Sequence, residues 1–274
     1  MKDIRPYLEQ RWYPKNPTEL SRSIEKYLKN AEIELKESRI YGIIVPHAGH
    51  IYSGQVAAYA FNCIKNLNPE TVVIISPSHY IGGADIIVSA HGSYSTPLGN
   101  IEIDTDLLGD ITARLEDEYG ITTLKYSNDP EHSIEVELPF LQQIYGQFKL
   151  VPIMVRNQNN KVAKALGHIL AEVLSDKNSI LIASSDLSHY YNQKTANTMD
   201  KEIIDRIESL DPESVLKADE QGIGQACGIG AIATVLWATK ELGAKKAEVL
   251  NYATSGDVSG DYDGVVGYVS VALY

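Results

Sequence analysis

The stretch Thr71-Val-Val-Ile-Ile-Ser-Pro-Ser-His-Tyr80 decides the fold. Five β-forming residues in a row read as a strand buried on both faces, the kind found inside a parallel sheet. Pro77 ends the run, because it has no N–H to give a ladder, and His79 follows at its mouth. Two other runs behave alike. Ile43-Ile44-Val45 leads through Pro46 to His47, and Leu181-Ile182-Ala183 leads to Asp186 and His189.

Outward from these runs, apolar β-rich segments alternate with helical ones. Strands are expected at 40–45, 71–76, 86–89, 121–126, 149–155, 179–184, 247–254 and 264–273. Helices are expected at 54–66, 105–118, 133–145, 160–174, 194–208, 212–219 and 229–241. Asn16-Pro17-Thr18-Glu19 marks one more helix start, with Asn as cap, Pro at the first position and Glu three residues after the cap; that helix should run to about Lys36. The alternation predicts an α/β fold: a mostly parallel sheet with helices on both faces, an αβα sandwich. No repeat or Gly/Ser/Pro-rich linker interrupts it, so residues 1–274 are expected to form one domain. Segment 80–104, with Gly82-Gly83, Pro97 and Gly99, reads as a loop and hairpin beside the sheet.

At 274 residues and 44% apolar the chain can bury a substantial core, which excludes disorder. A formal charge of -12 argues against nucleic acid as a partner, since phosphate backbones call for a basic face. No apolar window is long enough to span a membrane, and MKDIRPYLEQ has no signal-peptide core, so a soluble, cytoplasmic protein is expected. Two cysteines, Cys63 and Cys227, are too few for a disulfide scaffold. The 17 tyrosines against 3 phenylalanines suit half-buried, hydrogen-bonded positions.

Ligands of open α/β sheets collect at the carboxyl ends of the strands. His47, His79, Asp186 and His189 all fall there, from three different strands. Two imidazoles with one anionic donor form the pattern of non-haem iron sites, and imidazole also suits copper and zinc. Asp186 and Cys227 are both candidates for the third donor. Cys227 lies in Gly224-Gln-Ala-Cys-Gly-Ile-Gly230 just ahead of helix 229–241, where the helix dipole favours a thiolate. Cys63, between Phe61 and Ile64, reads as core. His132, in Glu131-His132-Ser133-Ile134-Glu135, is a candidate lining residue. His50, His91 and His168 read as ordinary, and Thr254 to Asp261 reads as turn chemistry at least as well as ligand binding. There is no G-x-S-x-G elbow, phosphate loop, dinucleotide fingerprint, C-x-x-C pair or H-E-x-x-H helix.

Val45-Pro46-His47-Ala48-Gly49 with Tyr52-Ser53-Gly54, Ser76-Pro77-Ser78-His79, Glu131-His132-Ser133-Ile134-Glu135, Ser185-Asp186-Leu187-Ser188-His189, Ala226-Cys227-Gly228 and Ser255-Gly256-Asp257 together resemble the Memo family from residue 12 to the C-terminus. The resemblance implies an αβα sandwich similar to class III extradiol dioxygenases of the LigB type. It implies His47, His79 and Cys227 as ligands of iron, as Fe(II), or copper (Cu). His189 would be an acid/base group with Asp186 beside it, and Trp12 and Tyr52 would be pocket walls. It also implies a small-molecule or peptide ligand. In animals the family is tied to cell motility and to phosphotyrosine receptor segments; prokaryotic members accompany an AMMECR1-like protein and a radical SAM protein. His50 departs from the family pattern, which has an aromatic residue there. A metal-dependent oxidoreductase is the first expectation, with a non-catalytic binding module and a metal-dependent hydrolase as alternatives.

Overall fold

A computed structural model describes residues 3–8, 12–33, 35, 39–80, 82–127 and 129–274. The chain opens with a two-residue strand β1 (Ile4–Arg5) and helix α1 (Pro17–Asn30), followed by β2 (Gly42–Val45), α2 (His50–Ile64) and β3 (Thr71–Pro77). Three short strands follow: β4 (Ile86–Ser89), β5 (Ser93–Thr96) and β6 (Gly99–Glu102). Then come α3 (Thr105–Tyr119), β7 (Thr123–Tyr126), a single 3₁₀ turn (Glu135–Glu137), α4 (Leu138–Tyr145), β8 (Lys149–Val155), α5 (Asn160–Leu174) and β9 (Ser179–Ser184). The last part holds β10 (His189–Tyr191), α6 (Gln193–Glu208), α7 (Pro212–Glu220), α8 (Ile229–Leu242), β11 (Ala247–Thr254), α9 (Gly256–Ser259) and β12 (Val265–Leu273).

The expected cap of α1 forms: Asn16 Oδ1 accepts the N–H groups of Thr18 and Glu19. The helix stops at Asn30, however, with Ala31 as its cap; the expected end at Lys36 lies outside the described residues. The helix expected from 133 begins only at Leu138. Pro139 explains this, since its ring would collide with the carbonyl four residues earlier, and the preceding residues tighten into a 3₁₀ turn instead.

The main sheet runs β10-β12-β2-β9-β3-β8-β4-β7, with β11 paired to β12. Its centre, β2-β9-β3-β8, is parallel. Antiparallel pairs extend it on both flanks, β12 on β2 and β4 on β8. Helices α1, α2 and α4 pack together over one face, while α3, α5, α7 and α8 cover the other, α5 lying along α8. The central strands are buried without interruption, Val72 to Ile75 being fully inaccessible. The excursion after β3 supplies β5 and β6, which join β1 in a separate three-stranded sheet. No helix among the described residues is long and apolar enough to cross a membrane.

One glycine sets how closely α8 approaches the sheet. A Cβ on Gly228 would sit 2.6 Å from the Ser184 carbonyl oxygen and 2.8 Å from Ser185 Cβ, at the end of β9. Gly228→Ala is therefore expected to push the start of α8 away from β9 and cost about 1–3 kcal/mol, as overpacking does. Denaturant melts of the variant against the wild type check this.

Candidate metal centre

Strands β2, β9 and β3 are neighbours and run parallel, so their carboxyl ends open on one rim. His47 leaves β2 and His79 leaves β3 at that rim. Cys227 reaches it from the turn into α8, anchored by its N–H to the Asp186 carbonyl at 3.1 Å. One ligand atom each of His47, His79 and Cys227 lies within 4.8 Å of the others. Cys227 Sγ stands 3.2 Å from His47 Nε2, a spacing suited to two donors sharing one ion at about 2.0–2.3 Å from each. The His47 and His79 rings stand nearly perpendicular, 5.5 Å apart.

Each imidazole is held from behind. His47 Nδ1 meets the Ser184 hydroxyl at 2.9 Å, which leaves Nε2 toward the thiol. His79 Nδ1 meets both oxygens of Glu131, at 3.0 and 3.1 Å, and the same carboxylate accepts the His79 N–H at 2.6 Å. Glu131 also takes N–H groups of His132 and Ser133 and the Ser133 hydroxyl. Such partners fix ring orientation and raise ligand basicity.

The electrostatics of the donors differ. Burial, with His132 and His79 close by, holds His47 well below the ordinary histidine pKa. For His79 burial pulls the same way, but the Glu131 carboxylate outweighs it and leaves the pKa raised. Burial would raise Glu131, yet the donors from His132 and His79 hold it well below the usual carboxylate range. At Cys227 burial, reinforced by Asp186, pushes the thiol up, overriding the dipole effect expected from its place before α8. A coordinated metal ion would reverse that balance, because coordination deprotonates a thiol.

Of the two candidates for third donor, Cys227 converges with the imidazoles and Asp186 does not. The Asp186 carboxylate accepts the His47 and Ala48 N–H groups at 2.8 and 3.2 Å, bracing the β2 turn. Burial raises its pKa against the opposing pull of His189. His189 places Nδ1 2.8 Å from the Leu187 carbonyl, so Nδ1 carries the proton and Nε2 is the acceptor nitrogen. Trp12 stacks on His132 at 3.9 Å with planes 7° apart, and His132 stacks in turn on His79.

Trp12, His47, His79, His132, Asp186 and His189 line one cavity of about 370 Å³ together with Tyr80 and Tyr190. Tyr52 lies outside it. It lines an adjoining cavity of about 420 Å³ with Ser255, Asp261 and Tyr268, and Trp12 and Tyr190 border both spaces. The Thr254 to Asp261 turn thus contributes to a cavity wall as well as to turn chemistry. Sequence reading missed Ser184 and Glu131 as the groups that orient the imidazoles. Glu131 had a signal, standing beside a histidine in a motif already singled out; Ser184 sits inside a strand and had none. Tyr190 was missed too: a non-glycine residue at φ 64°, 79% exposed, held in the left-handed region at the cavity mouth.

The remaining histidines point elsewhere. His50 packs between Tyr13 and Phe140 with Nε2 2.9 Å from the Val136 carbonyl. His91 and His168 pair with Asp3 and with Glu241 and Glu172. Cys63 gives its proton to the Ala60 carbonyl, and burial pushes its pKa to about 12. For His50, burial lowers the pKa from 6.5 to about 4, against the Val136 bond. The unfolded chain then takes up a proton in that interval that the folded chain refuses, so stability is complete above pH 6.5 and falls as pH drops toward 4. The loss is about 3 kcal/mol. His50→Phe keeps the ring packing and is expected to remove this acid-sensitive part, as measured by denaturant melts across pH 4 to 7.

Comparison with known proteins places the chain in a family. A sequence model of the Memo-like protein family matches residues 6–272. A MEMO1 family protein of Nitrosopumilus maritimus is 36% identical over 97% of this chain and 98% of its own length. Another, of Methanosarcina mazei, is 37% identical over 98% of both chains, and one of Methanopyrus kandleri is 35% identical over 98% of both. Among solved structures, the uncharacterized protein JW3007 of Escherichia coli K12 is similar in fold alone, with a TM-score of 0.54 at 14% identity, over 86% of this chain and 100% of that one. By the family match and by these full-length relatives, the chain belongs to the Memo family.

Proposed function

We propose that the chain is a metal-dependent oxidoreductase of dioxygenase-like type, with His47, His79 and Cys227 holding Fe(II) or Cu. The observation that carries this reading is the convergence of two separately anchored imidazoles, both at the wall of a ligand-sized cavity, with a half-buried thiol. The ion would supply redox chemistry toward O2 and open coordination positions. The chain's own residues do the rest. Glu131 and Ser184 orient the imidazoles, and Trp12 and His132 wall the cavity with a flat stacked pair that suits an aromatic or other planar substrate. His189, through Nε2, accepts a proton from the substrate, and Asp186 beside it steadies the imidazolium that forms.

A second reading is a binding module that uses the same space without turnover. The adjoining cavity favours it, since Tyr52, Tyr268, Ser255 and Asp261 offer recognition groups away from the trio. Anaerobically purified protein should bind one equivalent of Fe(II) or Cu by elemental analysis and consume O2 with an oxidisable phenol. Stoichiometric metal with no oxygen uptake across a phenol panel would favour the binding module. No metal uptake would end both the iron and the copper assignment.

A further inference from the structure

The Ser184 hydroxyl sits among three polar atoms: the Ser133 carbonyl oxygen at 2.7 Å, Glu137 Oε1 at 2.8 Å and His47 Nδ1 at 2.9 Å. A hydroxyl has one proton and two acceptor lone pairs. The carbonyl can only accept, so the Ser184 proton goes there. His47 Nδ1 and Glu137 Oε1 must then both donate, and a carboxyl that donates carries a proton.

We propose that Glu137 is a positioning residue held as a neutral carboxylic acid, whose proton pins the Ser184 hydroxyl so that His47 stays in the Nδ1–H tautomer and presents a bare Nε2 beside Cys227. The surroundings agree with the hydrogen-bond count. Glu137 is fully buried, and among the described residues its Oε2 has no partner. A carboxylate with one hydrogen bond and no cation would be costly there, whereas a neutral acid leaves only an unpaired carbonyl oxygen. Burial, with Asp186 nearby, also raises the Glu137 pKa well above the ordinary value. One short segment thus supplies two carboxyls of opposite kind: Glu131 an anion that accepts behind His79, and Glu137 an acid that donates behind His47.

That Nε2 is thereby readied for an ion rests on the reading of the trio as metal ligands; the proton assignment does not. Both are testable on the metal-free protein at neutral pH. ¹⁵N NMR of the imidazoles should show His47 with its proton on Nδ1. The infrared difference between wild type and Glu137→Gln should contain the carbonyl stretch of a protonated carboxylic acid. Glu137→Gln, which can still donate to Ser184, should keep the tautomer and hold Fe(II) affinity within about threefold, while Glu137→Met, which cannot donate, should mix the tautomers and weaken affinity about 10- to 100-fold. An Nε2–H tautomer in the wild type, absence of the acid stretch, or an unchanged tautomer in Glu137→Met overturns the proposal. Failure of the wild type to bind Fe(II) would remove the metal reading and leave the NMR and infrared results to decide Glu137.

Discussion

His79→Ala is expected to lower Fe(II) affinity by at least about 100-fold, more than the loss of any residue that acts behind a ligand. The substitution deletes one of the three donors that converge among the described residues, and it leaves Glu131, buried and held as an anion, facing an empty space. Cys227→Ser should have an effect of similar size, because a serine hydroxyl does not ionise as a thiol does on coordination. Glu131→Gln should fall between these and the wild type, since it keeps the imidazole and weakens only its orientation. The His79 side chain is 31% exposed, but its removal leaves the buried Glu131 without its imidazole partner, so the melting temperature should fall as well and affinity is measured at a temperature where the variant is folded. Trp12, stacked against His132 beside the site, offers a direct readout: metal titration should quench its fluorescence in the wild type and fail to do so in the variant. Equal affinities would remove His79 from the centre.

Arg5→Ala should cost about 3–5 kcal/mol of stability, the amount typical of breaking a buried charge pair from one side. Arg5 is 1% exposed; its Nε donates to Asp129 at 2.9 Å and Nη1 to Glu135 at 2.7 Å, while the guanidinium lies 4.5 Å over the Tyr94 ring. Its Nη2 donates to the Glu131 and Asp129 carbonyls, and the second Asp129 oxygen takes the Glu131 N–H at 2.8 Å. Without the guanidinium two carboxylates stay buried, and the segment that carries Glu131 and His132 loses its clamp. Arg5→Lys should recover little, because an ammonium cannot fork to two carboxylates and two carbonyls. Guanidinium chloride melts measure the loss, and a parallel fall in metal affinity would show that the clamp reaches the centre.

The parts legible in the sequence share one physical basis: local periodicity and strand-end position. The runs ending at Val45, Pro77 and Ser184 announce buried strands by composition, and topology then obliges their following residues to meet on one rim. The residues alone leave Asp186 and Cys227 both open as third donor, and only the family resemblance singles out Cys227; its neighbour Gly228 proves to be a close-approach residue. What could not be read depends on long-range pairing. Nothing near Ser184 marks it as the partner of His47, since the two are distant in sequence and joined only by the parallel register of β2 and β9. Arg5 lies on a two-residue strand that exists only because β5 pairs with it. His50 reads as ordinary despite standing one turn from His47, and its helical position does turn it into the core against Phe140.

The order in which the chain contributes its donors also sets when the centre can exist. His47 and His79 leave the ribosome early, but Cys227 arrives only with α8, and β12 then has to travel back to lie beside β2. Pairings so distant in sequence close slowly, after local structure. A nascent chain at that stage therefore carries the imidazoles of His47 and His79 without the Cys227 thiol. The complete donor set appears only at the end of folding, so on the proposed metal reading an ion would find all three donors only in a finished chain.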